Sequence, residues 1–156
     1  ADKIKIIEMR PTEFEQLQRR FIKKVAKVKG PRMCYVVMYE EIMLGGFGFE
    51  YPKQREYDLF LLTDFCTNNN VKQLSKLILF LVQTSDLKKM VKSKMTQRVN
   101  TAYTKVYTTM PVSMKYRGAL QKGEGEKGKY LLYQMEFGSM GKIGKALKEY
   151  KKRLGL

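Results

Sequence analysis

Histidine does not occur among the 156 residues. Its absence removes every triad built on an imidazole base, together with His-ligated zinc and haem. Cysteine occurs only at Cys34 and Cys66, with 31 residues between them. No Cys-x-x-Cys is present, so zinc-finger and iron–sulfur sites are excluded. A chain of this length builds a core without disulfides, and both cysteines are expected as reduced core thiols. Proline is scarce, at 4 residues, and hydrophobic residues make up 44%; that balance belongs to a folded globule and not to a disordered tail. Long apolar runs are missing. The aliphatic and aromatic run from Leu77 to Val82, like every other in the chain, is far too short to cross a bilayer. Residues 1–20 mix charged and apolar groups throughout, unlike a signal peptide. The expected compartment is the cytoplasm, and no membrane partner is expected.

Acid is also in short supply. Lys and Arg number 31 against 15 Asp and Glu, a formal charge of +16. Such a surface suits a polyanion or an anionic membrane. The excess is lopsided: residues 1–70 hold 12 basic and 10 acidic groups, residues 71–156 hold 19 and 5. Solubility does not require that asymmetry, whereas a binding face built from the second half does.

The pattern of apolar residues predicts the elements in turn. Residues 3–8 read as a strand. Thr12 with Glu15 forms a capping box for a helix whose apolar face is Phe14, Leu17, Phe21 and Val25, ended by Gly30 and Pro31. Strands follow at 33–39 and 42–50, joined by a turn at Glu40 and Glu41. Gly45, Gly46 and Gly48 in the second of these allow either a bulge or a close approach of ligand to backbone. After a polar loop at 51–56, residues 57–65 (YDLFLLTDF) read as a central strand buried on both faces. Asn70 is the expected cap of a helix over 71–83, whose buried stripe is Val71, Leu74, Ile78 and Leu81. A further helix restarts at Ser85 or Asp86. A strand is expected over 99–109, a short helix over 111–117, a polar loop over 121–129, a strand over 130–137 and a basic amphipathic helix from Lys142 to Arg153. No linker or repeat divides the chain. The expectation is one domain, 1–156, of α/β class, with a mixed central sheet and helices on both faces.

Five features carry chemistry. Where strand 57–65 feeds the helix at 71, the free helix N–H groups together with Lys72 and Lys76 can hold a phosphate, with ordinary capping the alternative. On the strand 101–109, Tyr103, Lys105 and Tyr107 share a face under period two, so tyrosines bracket a lysine as in a surface that stacks bases and meets phosphate, or simply cover a half-exposed sheet. In PVSMKYRG (111–118), Ser113, Lys115, Tyr116 and Arg117 crowd one segment, and Tyr116 can serve as a proton donor, with a plain surface turn the alternative. Asp58 and Asp64, six apart on one strand, are expected on one face, with Asp64 at the carboxyl end as the general-base or metal-ligand candidate. Lys145, Lys148 and Lys152 follow helical spacing, as a phosphate-tracking face or a solvated one. Lys88, Lys89, Lys92 and Lys94 form a second basic cluster. Nothing in the spacing demands a metal.

The element order is similar to the GNAT-type N-acetyltransferase fold. The run TAYTKVYTTMPVSMKYRG (101–118), downstream of TDF (63–65) and QLSKL (73–77), resembles the Mom family of phage DNA-modification proteins over roughly residues 57–137. The resemblance implies an acetyltransferase-like enzyme that adds a carbamoylmethyl-type group to N6 of adenine in DNA and so shields phage DNA from restriction. Carried over, Asp64 falls on the strand-end acid, Ser75 and Lys76 on the helix motif, and Ser113, Lys115, Tyr116 and Arg117 on the octamer. Joined to the readings from the residues, this makes Asp64, Ser113 and Tyr116 the expected catalytic set, Asn70, Lys72, Ser75 and Lys76 the holders of a cofactor, acetyl-CoA or a related acyl donor, and Tyr103, Lys105, Tyr107, Lys115, Arg117, Lys145, Lys148 and Lys152 the residues that meet DNA. Two departures stand out. Histidine is expected near the active site of better-known members and is absent. The Gln/Arg-x-x-Gly-x-Gly/Ala pyrophosphate loop is replaced by CTNNNVKQ at 66–73. They leave two alternatives beside DNA modification: an acyl-CoA-dependent N-acyltransferase, and a noncatalytic nucleic-acid-binding protein.

Overall fold

A computed structural model describes residues 3–21, 32–51, 58–68, 73–95, 99–106, 121–123 and 131–155. The elements run β1 (Ile4–Met9), α1 (Pro11–Phe21), β2 (Met33–Tyr39), β3 (Ile42–Glu50), β4 (Asp58–Cys66), α2 (Leu74–Val82), α3 (Ser85–Lys94), β5 (Thr101–Val106), β6 (Gln121–Gly123), β7 (Leu131–Glu136) and α4 (Ile143–Arg153). One sheet of order β1-β2-β3-β4-β5-β7-β6 holds all seven strands. Every neighbouring pair is antiparallel except β4 with β5. The mixed sheet with helices on both faces is the expected class.

Because partners opposite each other on adjacent strands share a face, the register divides the core. One face carries Tyr35, Val37, Phe47, Phe49, Leu59 and Leu61, which pack with Leu77, Ile78 and Leu81 of α2. The other carries Cys34, Val36 and Phe65 beneath Phe14 of α1. α2 is apolar almost all round: eight of its nine residues are buried, as suits a helix sandwiched between the sheet and α4. Gly45 and Gly46 thin β3 where helices approach from both sides. A Cβ at Gly45 would lie 2.2 Å from the Phe65 carbonyl oxygen and 3.0 Å from Ile78 Cδ1; one at Gly46 would lie 2.8 Å from the Tyr35 carbonyl oxygen and 3.1 Å from Phe14 Cε2. These two glycines thus serve packing, not the approach of a ligand.

Several boundaries differ from the sequence expectation. α1 begins at Pro11, whose missing N–H is no loss in a first turn, and the Arg10 carbonyl accepts from Phe14 N at 3.0 Å. Thr12 is therefore inside the helix. α2 begins at Leu74, because Gln73 sits in the left-handed region at φ 55 and no α-helix passes through such a residue; the N-cap position is Gln73, not Asn70. α3 is capped by Thr84, whose hydroxyl oxygen accepts from Leu87 N at 3.3 Å. Asp86 instead accepts from Ile143 N at 3.2 Å and ties the start of α4 to that of α3. Residues 121–123, expected in a loop, pair with β7 as a strand.

Candidate functional site

β4 and β5 are paired only from Asp58 to Phe60 against Thr101 to Tyr103. Past that point β4 continues to Cys66, laddered to β3 alone, and β5 continues to Val106, laddered to β7 alone. The two parallel strands therefore separate at their carboxyl ends and open a wedge inside the sheet. Its vertex is marked by Phe60 and Tyr103, whose ring centroids lie 5.2 Å apart. Tyr103 thus packs against its neighbour across the strand pair, on the half-exposed sheet surface.

Within the β4 arm the register against β3 slips by one residue: Gly48 opposes Thr63 and Phe49 opposes Leu61, which leaves Leu62 without a partner. Such a bulge inverts the in–out alternation. Leu59 and Leu61 point to the α2 face, yet Phe65 belongs to the α1 face with Phe14, their rings 5.7 Å apart. Asp64, opposite Phe47, falls on the α2 face. Positions 58 and 64 accordingly lie on opposite faces, against the expectation from even spacing. Asp64 stands on the arm of β4 that β5 does not cover; it is half-buried, with Oδ2 shielded from solvent.

α2 begins at Leu74, eight residues after β4 ends, and packs against β4. Its hydrogen bonding starts at the Gln73 carbonyl, which accepts from Lys76 N at 3.0 Å and Leu77 N at 3.2 Å. The Leu74 and Ser75 N–H groups have no acceptor within the helix. No acidic residue occupies the first turn. The positive end of the helix is thus available to an anion. Ser75 is half-buried. Lys76 is 4% exposed and engaged inside the protein, so its charge is not displayed at the surface. A linear, amide-bearing carrier with a phosphorylated end fits this arrangement: unpaired strand backbone for its arm, helix N–H groups for its phosphates.

On the other arm, Thr104 is buried and faces Tyr133 of β7. Burial raises the Tyr133 pKa, so its phenol stays protonated at neutral pH, able to donate a proton in a hydrogen bond and unable to act as a base. Sequence reasoning passed over Tyr133, although period two in YLLYQMEF already groups it with the inward-facing Met135. Cys34 is buried, and burial together with the carboxylate of Glu8 pushes its thiol up to about 12, which makes it inert. Cys66, also a free thiol, is half-buried at the end of β4.

The expected site residues divide as follows. Asp64 and Tyr103 flank the wedge, and Ser75 and Lys76 lie in the first turn of α2. Lys105 stands on β5 opposite Leu132. Lys145, Lys148 and Lys152 are exposed along α4, away from the buried Ala146 and Tyr150. Asn70, Lys72, Tyr107, Ser113, Lys115, Tyr116 and Arg117 lie outside the described residues, as does the side chain of Lys105. Among the described residues no group of three or more Cys, Asp or Glu is placed to hold a metal ion, and no helix is long and apolar enough to cross a membrane.

The family model described as a phage GNAT-like domain matches residues 1–155. Among solved structures, the chain is similar to Arabidopsis thaliana Naa50 in complex with the bisubstrate analogue CoA-Ac-MVNAL: 12% identity, 86% of this chain, 99% of that one, TM-score 0.51. It is also similar to a chimera of the spermidine N-acetyltransferase SpeG from Vibrio cholerae with hSSAT, at 9% identity, 94% and 99% coverage and a TM-score of 0.55. A SpeG mutant from Vibrio cholerae gives 8%, 96%, 99% and 0.55. At such identities the likeness is one of fold. No curated protein matches the chain in sequence.

Proposed function

The chain belongs to the phage GNAT-like domain family, and from that premise we propose that it transfers an acyl-type or carbamoylmethyl-type group from a CoA-like carrier to an amino nitrogen, with N6 of adenine in DNA as the acceptor. The single observation that carries the transferase reading is the divergence of β4 from β5 beyond Phe60 and Tyr103, close to a helix start free of acid. The carrier, when bound, supplies a carbon activated for attack. The backbone of β4 between Leu61 and Cys66 holds its arm as an added strand would be held. The Leu74 and Ser75 N–H groups bind its phosphates. Asp64 receives the proton that the amine must lose as the new C–N bond forms. Tyr116 is the candidate donor of a proton to the leaving group.

The acceptor is chosen by charge. A polyamine would meet a chain of +16, whereas a polyanion is attracted to it. Base chemistry on duplex DNA needs the adenine turned out of the stack. The phage character of the family fits a role in shielding DNA from restriction.

The test is mass analysis of nucleosides from DNA co-expressed with the protein, beside a parallel expression of Asp64→Asn. A new deoxyadenosine derivative that disappears in the variant is the expected result. Unmodified DNA alongside saturable acetyl-CoA binding and acetylation of a small amine would make the protein a conventional N-acyltransferase. Salt-dependent DNA binding without any carrier binding would make it a noncatalytic binder.

A further inference from the structure

The geometry points to a second binding place, remote from the wedge: the open edge of β1 is a docking strand for an extended acidic peptide. β1 is the terminal strand of the sheet, paired to β2 on one side only. The Lys3 carbonyl accepts from Glu40 N at 3.0 Å, and that bond fixes the phase of the ladder. In an antiparallel pair, alternate residues direct both backbone groups at the partner. Lys3, Lys5, Ile7 and Met9 therefore turn theirs toward β2, and Ile4, Ile6 and Glu8 present theirs to the open edge. No described residue bonds to those outward groups. Edges of this kind are ordinarily blunted by charge, a proline, a bulge or a covering element; β1 carries the charges of Lys5 and Glu8 but has neither proline nor bulge, and no described residue pairs with its outer backbone.

A groove of about 420 Å³ runs along the same edge, with Ile4, Ile6, Met90 and Ile143 beside Lys5 and Lys89. Its far wall is α3. Lys94 of α3 reaches Glu8 of β1 at 2.6 Å and closes one end. Strand edge on one side and helix on the other is the arrangement in which a peptide adds as a strand and drops alternate side chains into a pocket. The pattern of the occupant follows from the faces. One set of side chains meets the apolar floor of Ile4, Ile6, Met90 and Ile143. The alternate set lies beside the exposed Lys5 and Ile7 on the opposite face, where Lys3 is already paired with Glu40 at 3.4 Å. Lys89 is likewise exposed, while the nearby carboxylate of Asp86 is already engaged by Ile143 N. The complement is an extended segment alternating apolar and acidic residues. Two β1 strands paired antiparallel about Ile6 would set Lys5 against Ile7 and Ile4 against Glu8, so a second copy brings no acidic partner to Lys5, whereas an acidic segment does.

The probe is an N-acetylated, C-amidated heptapeptide alternating Glu and Val, with a Lys–Val counterpart as control, read by amide hydrogen exchange in NMR. The Glu–Val peptide is expected to slow exchange at Ile4, Ile6 and Glu8 at least tenfold and to leave the already bonded Lys5 and Ile7 unchanged. Lys5→Glu with Lys89→Glu should weaken its binding at least tenfold. Ile6→Pro removes an outward donor without touching the β1–β2 ladder and should abolish binding with the far-UV spectrum intact; should that variant fail to fold, the charge reversal alone decides. Free exchange at the three amides in saturating peptide overturns the proposal, as does equal protection by the Lys–Val peptide. Protection that rises with protein concentration in the absence of peptide assigns the edge to a second copy and also overturns it.

Discussion

At the scale of single residues, the two cysteines have opposite prospects although both were expected in the core. Cys34 lies under α1 with its thiol raised from 9.0 to about 12 by burial and by Glu8. A thiol whose folded pKa is raised keeps its full contribution to stability below the unfolded value near 9. Above it the unfolded chain binds fewer protons than the folded one, and stability falls as pH rises toward 12. Burial and Glu8 also push up the phenol of Tyr35, which adds to the alkaline loss above its ordinary value. The melting temperature should therefore drop from pH 9 upward, and Cys34→Ala should flatten that slope; an unchanged slope would remove Cys34 as a cause. In thiol titration of the native protein, Cys66 should react first and Cys34 only on unfolding. Gly45 offers a sharper case. A methyl group there would stand 2.2 Å from the Phe65 carbonyl oxygen, and backbone cannot yield as a side-chain tip can. Gly45→Ala should destabilise by at least about 1–3 kcal/mol, the usual range for overpacking, as measured by urea denaturation. The glycines were visible in the sequence, but their purpose was not, because the atoms that crowd them come from β2, β4 and two helices.

At the scale of elements, the segments with a clean period were legible. The strands at 33–39 and 42–50 have their expected bounds, and the terminal helix begins one residue later than anticipated, because both patterns are written by side chains that meet one continuous surface. Two features escaped for stated reasons. The run LFLLTDF is apolar at nearly every position, so it carries no alternation from which the Leu62 bulge can be read, and the grouping of positions 58 and 64 fails with it. The wedge escaped because divergence of two parallel strands belongs to the pairing between distant segments; neither strand encodes it alone. The junction of α2 and α3 was half legible. A restart near position 85 was foreseen, yet the cap is the fully buried Thr84, which was hidden among equally plausible polar neighbours. Its hydroxyl donates to the Leu81 carbonyl at 2.7 Å and accepts from Leu87 N at 3.3 Å, so one side chain ends one helix and begins the next. Thr84→Ala should cost about 1–2 kcal/mol, visible as a lowered denaturation midpoint with an unchanged m-value. Thr84→Ser keeps both bonds and should recover most of the loss.

At the scale of the whole molecule, part of the positive excess of the second half is spent internally. Lys94 is paired with Glu8, and Arg153 is paired with Glu149 at 3.3 Å while its guanidinium lies 5.4 Å from the centre of the Phe80 ring. Lys145, Lys148 and Lys152 remain exposed on α4, with the apolar side of that helix turned to α2. If DNA is the acceptor, these three hold its phosphates and do no chemistry. Each lysine that meets a phosphate of duplex DNA releases condensed counterions and contributes about 0.9 to the slope of log K against log salt. Replacing all three by Gln should therefore flatten that slope by up to about 2.7 in fluorescence anisotropy with a labelled duplex, and weaken binding most at low salt. Carrier binding at the wedge should be untouched, since α4 supplies none of the groups assigned to it. A slope identical to the native one would place the DNA on another face, and the lysines of α3 would be the next to exchange. A parallel loss of carrier binding would instead mean that α4 supports α2, and that the two sites are not mechanically separate.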